Sequence, residues 1–107
     1  MREINLELGY PTVADAMNML KKELQRCKKN EVLLFVHGYG SSGKVGKICK
    51  SARQWLKAQE RNGSVSAVIF GEDFEIFNFK ALELKNKEPE LEGLLRVCNH
   101  GVTVVEK

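Results

Sequence analysis

The spacing of apolar residues changes several times along this chain, and each change marks an element. Glu3-Ile4-Asn5-Leu6-Glu7-Leu8 alternates polar and apolar, the period of a strand with one buried face, and Gly9-Tyr10-Pro11 ends it. Then Val13, Ala16, Met17, Leu20, Leu24 and Cys27 recur at helical spacing. Thr12 is the natural N-cap of that helix, with Asp15 three residues on as a weaker capping box, and Lys28, Lys29 and Asn30 close it. The period vanishes at Val32-Leu33-Leu34-Phe35-Val36, a continuous apolar run that reads as a strand over 31–37 buried on both faces. A second helix starts near Lys44. Its apolar residues Val45, Ile48, Cys49, Ala52, Trp55 and Leu56 share an arc of about 120°, with Lys44, Lys47, Lys50, Arg53 and Lys57 opposite.

Arg61-Asn62-Gly63 breaks that helix, and residues 65–70 read as a third strand. The order β-α-β-α-β implies crossover connections and an α/β sheet. Residues 71–100 are less regular. Phe74, Ile76, Phe77 and Phe79 form an aromatic-rich patch of ambiguous period, followed by Glu88-Pro89-Glu90-Leu91 as a helix start with Pro at its first position. Leu91, Leu94, Leu95 and Cys98 suit a short helix, Asn99-His100-Gly101 a turn, and Val102-Thr103-Val104-Val105 a last strand.

A length of 107 residues, 43% hydrophobic and 29% charged, describes one domain, 1–107, with a modest core. No apolar run approaches a membrane span and no charged-then-apolar leader opens the chain, so the expected location is the cytoplasm, with no membrane partner. Cys27, Cys49 and Cys98 are odd in number and widely spaced, which argues against disulfides or a zinc ribbon and for buried free thiols. The net charge of +3 is small but uneven: residues 1–60 carry 11 Lys/Arg against 6 Asp/Glu, and residues 61–107 carry 6 against 8. The basic excess shares its half of the chain with a glycine-rich loop, where a polyanion would dock.

That loop, His37-Gly38-Tyr39-Gly40-Ser41-Ser42-Gly43-Lys44, joins a buried strand to a helix N-terminus, a place suited to an anion. Gly38 to Lys44 fits G-x-x-x-x-G-K, but Val45 stands where a magnesium-binding Ser or Thr is required. Leu33 to Gly40 would also pass for the oxyanion loop of an α/β-hydrolase, but no G-x-S-x-G elbow supplies a nucleophile. Both readings are set aside on those grounds.

Thr12-Val13-Ala14-Asp15-Ala16, His37-Gly38-Tyr39-Gly40, Arg53-Gln54-Trp55-Leu56 and Gly101-Val102-Thr103-Val104-Val105 together resemble, in order and spacing, the Smr (small MutS-related) domain. The resemblance implies a two-layer sandwich like the C-terminal domain of translation initiation factor three, with two main helices against a mixed four-stranded sheet. It also implies DNA or RNA binding, which in some members comes with nicking or endoribonuclease activity. The opening strand departs from the family pattern. Asn5 stands at the usual Asp, and Glu7 or Leu8 at the usual His, so the resemblance implies weak or no cleavage.

The expected nucleic-acid contacts are therefore His37, Gly38, Tyr39, Gly40, Ser41, Ser42, Gly43 and Lys44, with Lys47, Lys50 and Arg53 from the helix. His37 is open to three roles: structural hydrogen-bonder, phosphate ligand, or proton carrier. In a cleaving enzyme Glu7 would replace the lost histidine and His37 would assist. In an interaction module lacking nucleic-acid binding, residues 74–79 would be the contact surface. Glu72, Asp73 and Glu75 read as a solvated acidic loop rather than a metal site, and His100 as a turn residue; no metal or cofactor is expected. A monomer or weak homo-oligomer is the expected state.

Overall fold

The computed structural model describes residues 1–7, 9, 12–38 and 43–107, with residues 43–45 described by backbone alone. The strands are β1 (Arg2–Asn5), β2 (Val32–Val36), β3 (Ala67–Phe70) and β4 (Val102–Glu106). The helices are α1 (Val13–Arg26), α2 (Gly43–Arg61), α3 (Phe79–Lys87) and α4 (Glu92–Arg96), with single 3-10 turns at Gly71–Asp73 and Pro89–Leu91. The sheet is mixed and four-stranded in the order β1-β2-β4-β3. β1 runs parallel to β2, as a connection through α1 requires, while β4 is antiparallel to both β2 and β3. β4 thus fills the slot that the β2-α2-β3 crossover leaves open.

The two central strands bury both faces, as the unbroken apolar run in β2 predicts. Leu33, Phe35, Val68 and Val105 face Ala16, Leu20 and Leu24 of α1 and Ile48, Ala52 and Leu56 of α2. On the opposite face Val32, Ile69 and Val104 pack with Phe74, with Ala81 and Leu84 of α3, and with Leu91. Residues 71–100 therefore add cover on the face that a two-layer sandwich would leave bare. An ion pair fixes this cover: the carboxylate of Glu106, 7% exposed, lies 2.7 Å from Lys80 and 3.0 Å from Lys87. Burial by itself raises the Glu106 pKa, but the two ammonium groups outweigh it and hold the carboxyl below its ordinary value.

Several boundaries differ from the sequence reading. β1 ends at Asn5, where the side-chain oxygen accepts from Glu7 N and turns the chain early. α1 is capped by Thr12 as expected, its hydroxyl accepting from Asp15 N at 3.1 Å, but it ends at Arg26 with Cys27 as C-cap. Asn30 instead forms the following turn at φ 70°. α3 emerges from the ambiguous patch. Its period was concealed because Ile76, Phe77 and Phe79 point to solvent while Ala81 and Leu84 are buried. Asn78 caps it, accepting from Ala81 N.

Candidate functional site

β2 delivers His37 to the end of the sheet with no exposed surface. The amides of His37 and Gly38 both donate to the carbonyl of Gly101, at 3.0 and 3.1 Å, pinning the start of the glycine loop to the turn before β4. Gly38 then adopts φ 73°, a left-handed conformation that glycine enters without steric cost, and the chain leaves the sheet.

Both ring nitrogens of His37 are committed inside the protein. Nδ1 lies 2.7 Å from the carbonyl of Gly38, which only accepts, so Nδ1 carries a proton and donates it. Nε2 lies 2.8 Å from Oγ1 of Thr103, which also accepts from Nε of Arg53 at 3.2 Å. Every group is satisfied if the Thr103 hydroxyl donates to an unprotonated Nε2. Burial pushes the imidazole below its ordinary pKa, the hydrogen bond to Gly38 opposes this, and the charge of Arg53 adds to the lowering. His37 is thus a neutral, structural hydrogen-bonder. Of the three roles open to His37, this geometry fits the structural one, since both nitrogens are bonded within the protein.

Arg53 is the hub. Nη1 and Nη2 donate to the two carboxylate oxygens of Glu72 at 2.6 and 2.7 Å, a bidentate pair. Nη2 also reaches the carbonyls of His100 and Val102 at 3.1 and 3.0 Å. The guanidinium covers the Phe70 ring at 4.2 Å from its centroid. The expectation of Arg53 on the solvated face beside the lysines is corrected: its side chain is only 14% exposed and ties α2, β4 and the 71–73 turn together. Burial by itself raises the Glu72 pKa, but the hydrogen bonds from Arg53 outweigh it and hold it low.

Lys57 is likewise engaged, with Nζ 2.9 Å from the carbonyl of Val68. Lys47, Lys50 and Arg61 are exposed on α2. A hollow of about 570 Å³ runs along this side, lined by Lys50, Arg53, Gln54, Lys57, Arg61 and Phe70. The expected contacts Tyr39, Gly40, Ser41 and Ser42 lie outside the described residues, as does the side chain of Lys44; Gly43 opens α2. Glu7, just past the end of β1, is half-buried; its amide turns back to Asn5.

The cysteines divide. Cys27 is buried, and burial pushes its thiol up to about 11. Cys49 is half-buried and also raised, by burial first. Cys98 is exposed, against the expectation of a buried thiol. Among the described residues no cluster of three or more His, Cys, Asp or Glu is arranged to hold a metal ion, and no helix is long and apolar enough to cross a membrane.

Sequence reasoning missed Thr103, Glu72 and Phe70. The signal for Thr103 was present: a hydroxyl inside Val-Thr-Val-Val, in a strand buried on both faces, must find a partner. In the fold it finds two, His37 and Arg53. No protein-family model, curated protein or solved structure matches the chain.

Proposed function

We propose that this chain binds the phosphate backbone of DNA or RNA through the outer side of α2 and the glycine loop that leads into it. The observation that carries the reading is the hollow along α2, where Lys50 and Arg61 stand exposed beside Gln54 and Lys57, with Lys47 exposed one turn earlier. α2 holds six Lys or Arg and a single acid, Glu60, and has no acid in its first turn. Such one-signed helices attract polyanions without reading bases. The fold of the Smr module and of the initiation-factor domain belongs to the same proposal, supported by the order of the motifs. Cleavage does not, because His37 is spent on Thr103 and Gly38.

Filter binding of DNA and RNA across a salt series tests the reading. Three phosphate contacts give a log–log slope of about −2 to −3. Binding that is absent at low salt, or indifferent to salt, overturns it.

A second reading, an interaction module, draws on the exposure of Ile76, Phe77 and Phe79 at 59%, 84% and 88%. Light scattering of the wild type and of Phe77→Ser separates the two: self-association that the substitution abolishes favours the module.

A further inference from the structure

The loop between α4 and β4 presents three chemically complementary side chains. Sγ of Cys98 lies 3.4 Å from Nε2 of His100, and Nδ1 of His100 lies 3.5 Å from Oε2 of Glu72. The turn is fixed from within, because Asn99 Oδ1 accepts from Gly101 N at 2.8 Å and so sets Cys98 beside His100. It is fixed from below by Gly71, where a Cβ would overlap the carbonyl oxygen of Asn99 and come within 2.7 Å of Val102 Cγ2. Only a glycine lets the 98–102 turn settle this closely on the turn that bears Glu72. Glu72 is itself held in place by the two-pronged bond to Arg53. A carboxylate at ion-pairing distance from Nδ1 stabilises the imidazolium that forms when Nε2 takes a thiol proton, an arrangement that activates sulfur nucleophiles. The thiol opens to solvent beside a hollow lined by Val97, Cys98, Asn99 and His100.

We propose that Cys98 is a reactive thiol, with His100 as its base and Glu72 as positioning residue, that undergoes exchange with small soluble disulfides. The Cys98 proton passes to Nε2 of His100, and the thiolate attacks one sulfur of R–S–S–R. A new S–S bond joins Cys98 to one half of the reagent, and the old S–S bond breaks. The departing thiolate takes the proton from His100 and leaves as R–SH. Cys98 and one reagent half end as the mixed disulfide, the other half as the reduced thiol. The exposed thiol and the open hollow beside it admit a small, freely diffusing disulfide. The proposal is independent of nucleic-acid binding.

Bis(2-hydroxyethyl) disulfide, which carries no charge, is the probe. The folded, reduced chain is incubated with it at pH 7, and adducts at each cysteine are timed by peptide mass spectrometry. Cys98 reacts first, while Cys27 and Cys49 stay unmodified. His100→Gln, an exposed substitution, slows the Cys98 adduct about fivefold. Glu72→Gln also slows it, with Cys27 still protected; a general loosening would instead expose Cys27 and Cys49. Equal Cys98 rates in the wild type and His100→Gln overturn the proposal. So does a Cys98 rate no faster in the folded chain than in the same chain unfolded in guanidinium.

Discussion

Oγ1 of Thr103 lies 2.8 Å from Nε2 of His37, a contact that joins residues 66 positions apart at the end of the sheet. The same oxygen accepts from Nε of Arg53, so one hydroxyl satisfies a neutral ring and a cation together. Thr103→Val keeps shape and removes that hydroxyl. It leaves Nε2 of the fully buried His37 and Nε of the largely buried Arg53 without that partner. The expected loss is about 1–3 kcal/mol in urea unfolding. A loss under about 0.5 kcal/mol would show that the hydroxyl does not hold the network.

Burial of a neutral His37 makes folding depend on pH with a definite sign. The folded pKa lies below the ordinary value, so the unfolded chain binds the proton more readily. The stability that His37 contributes is therefore complete above an unfolded pKa of about 6.5 and is lost as the pH falls through the lower folded value. The Glu72 and Glu106 carboxyls, both held low, lose theirs only at more acid pH, below about 4.3. Chemical unfolding at half-unit steps should show the upper window in the wild type and a flatter one in His37→Gln. An unchanged slope there would assign the dependence to another group.

Gly71 predicts a steric effect, since its φ is not of the left-handed kind that strains other residues. Gly71→Ala forces its methyl against the backbone of Asn99 and the Val102 side chain, and backbone cannot swing aside as a lysine tip can. Overpacking of this kind costs about 1–3 kcal/mol. The melting temperature should fall, and the Gly101 amide, bonded to Asn99 Oδ1, should exchange faster with deuterium. An unshifted melting curve would mean the 98–102 turn moves freely.

β3 is an edge strand, and α2 finishes its edge. The amide of Val68 donates to Glu60 Oε2 at 2.6 Å and its carbonyl accepts from Lys57 Nζ at 2.9 Å, while the two side chains pair at 3.3 Å. Together they stand where the next strand would hydrogen-bond. Glu60→Ala leaves the Val68 amide unpaired, so a loss of about 1–2 kcal/mol is expected, with concentration-dependent association in sedimentation. Glu60→Gln retains an acceptor and should recover most of the stability.

The sheet and its two long helices were legible because their apolar residues keep one period each: alternation over residues 3–8, a continuous run in β2, helical spacing in α1 and α2. α3 was not, since its largest apolar residue, Phe79, faces water and its buried face is only Ala81 and Leu84. The site was half legible. Glycines and lysines announce a loop before a basic helix, yet a helical wheel cannot tell that Arg53 and Lys57 bend inward. Arg53 finds Glu72 and two carbonyls there, and Lys57 finds Val68. Partners brought together only by the fold, such as His37 with Thr103, leave no trace in local spacing.

That division between inward and outward cations separates stability from binding along α2. Lys47 and Lys50 are exposed, whereas Arg53 is tied into the core network. Lys47→Glu combined with Lys50→Glu should leave the urea midpoint nearly unchanged. It should weaken binding to both DNA and RNA at least tenfold at low salt and flatten the salt slope by about two. Arg53→Ala should do the reverse, lowering the midpoint strongly by stranding Glu72. If the double reversal binds as tightly as the wild type, the phosphate contacts lie elsewhere on the chain. If it unfolds instead, the lysines belong to the packing of α2 and not to its open face.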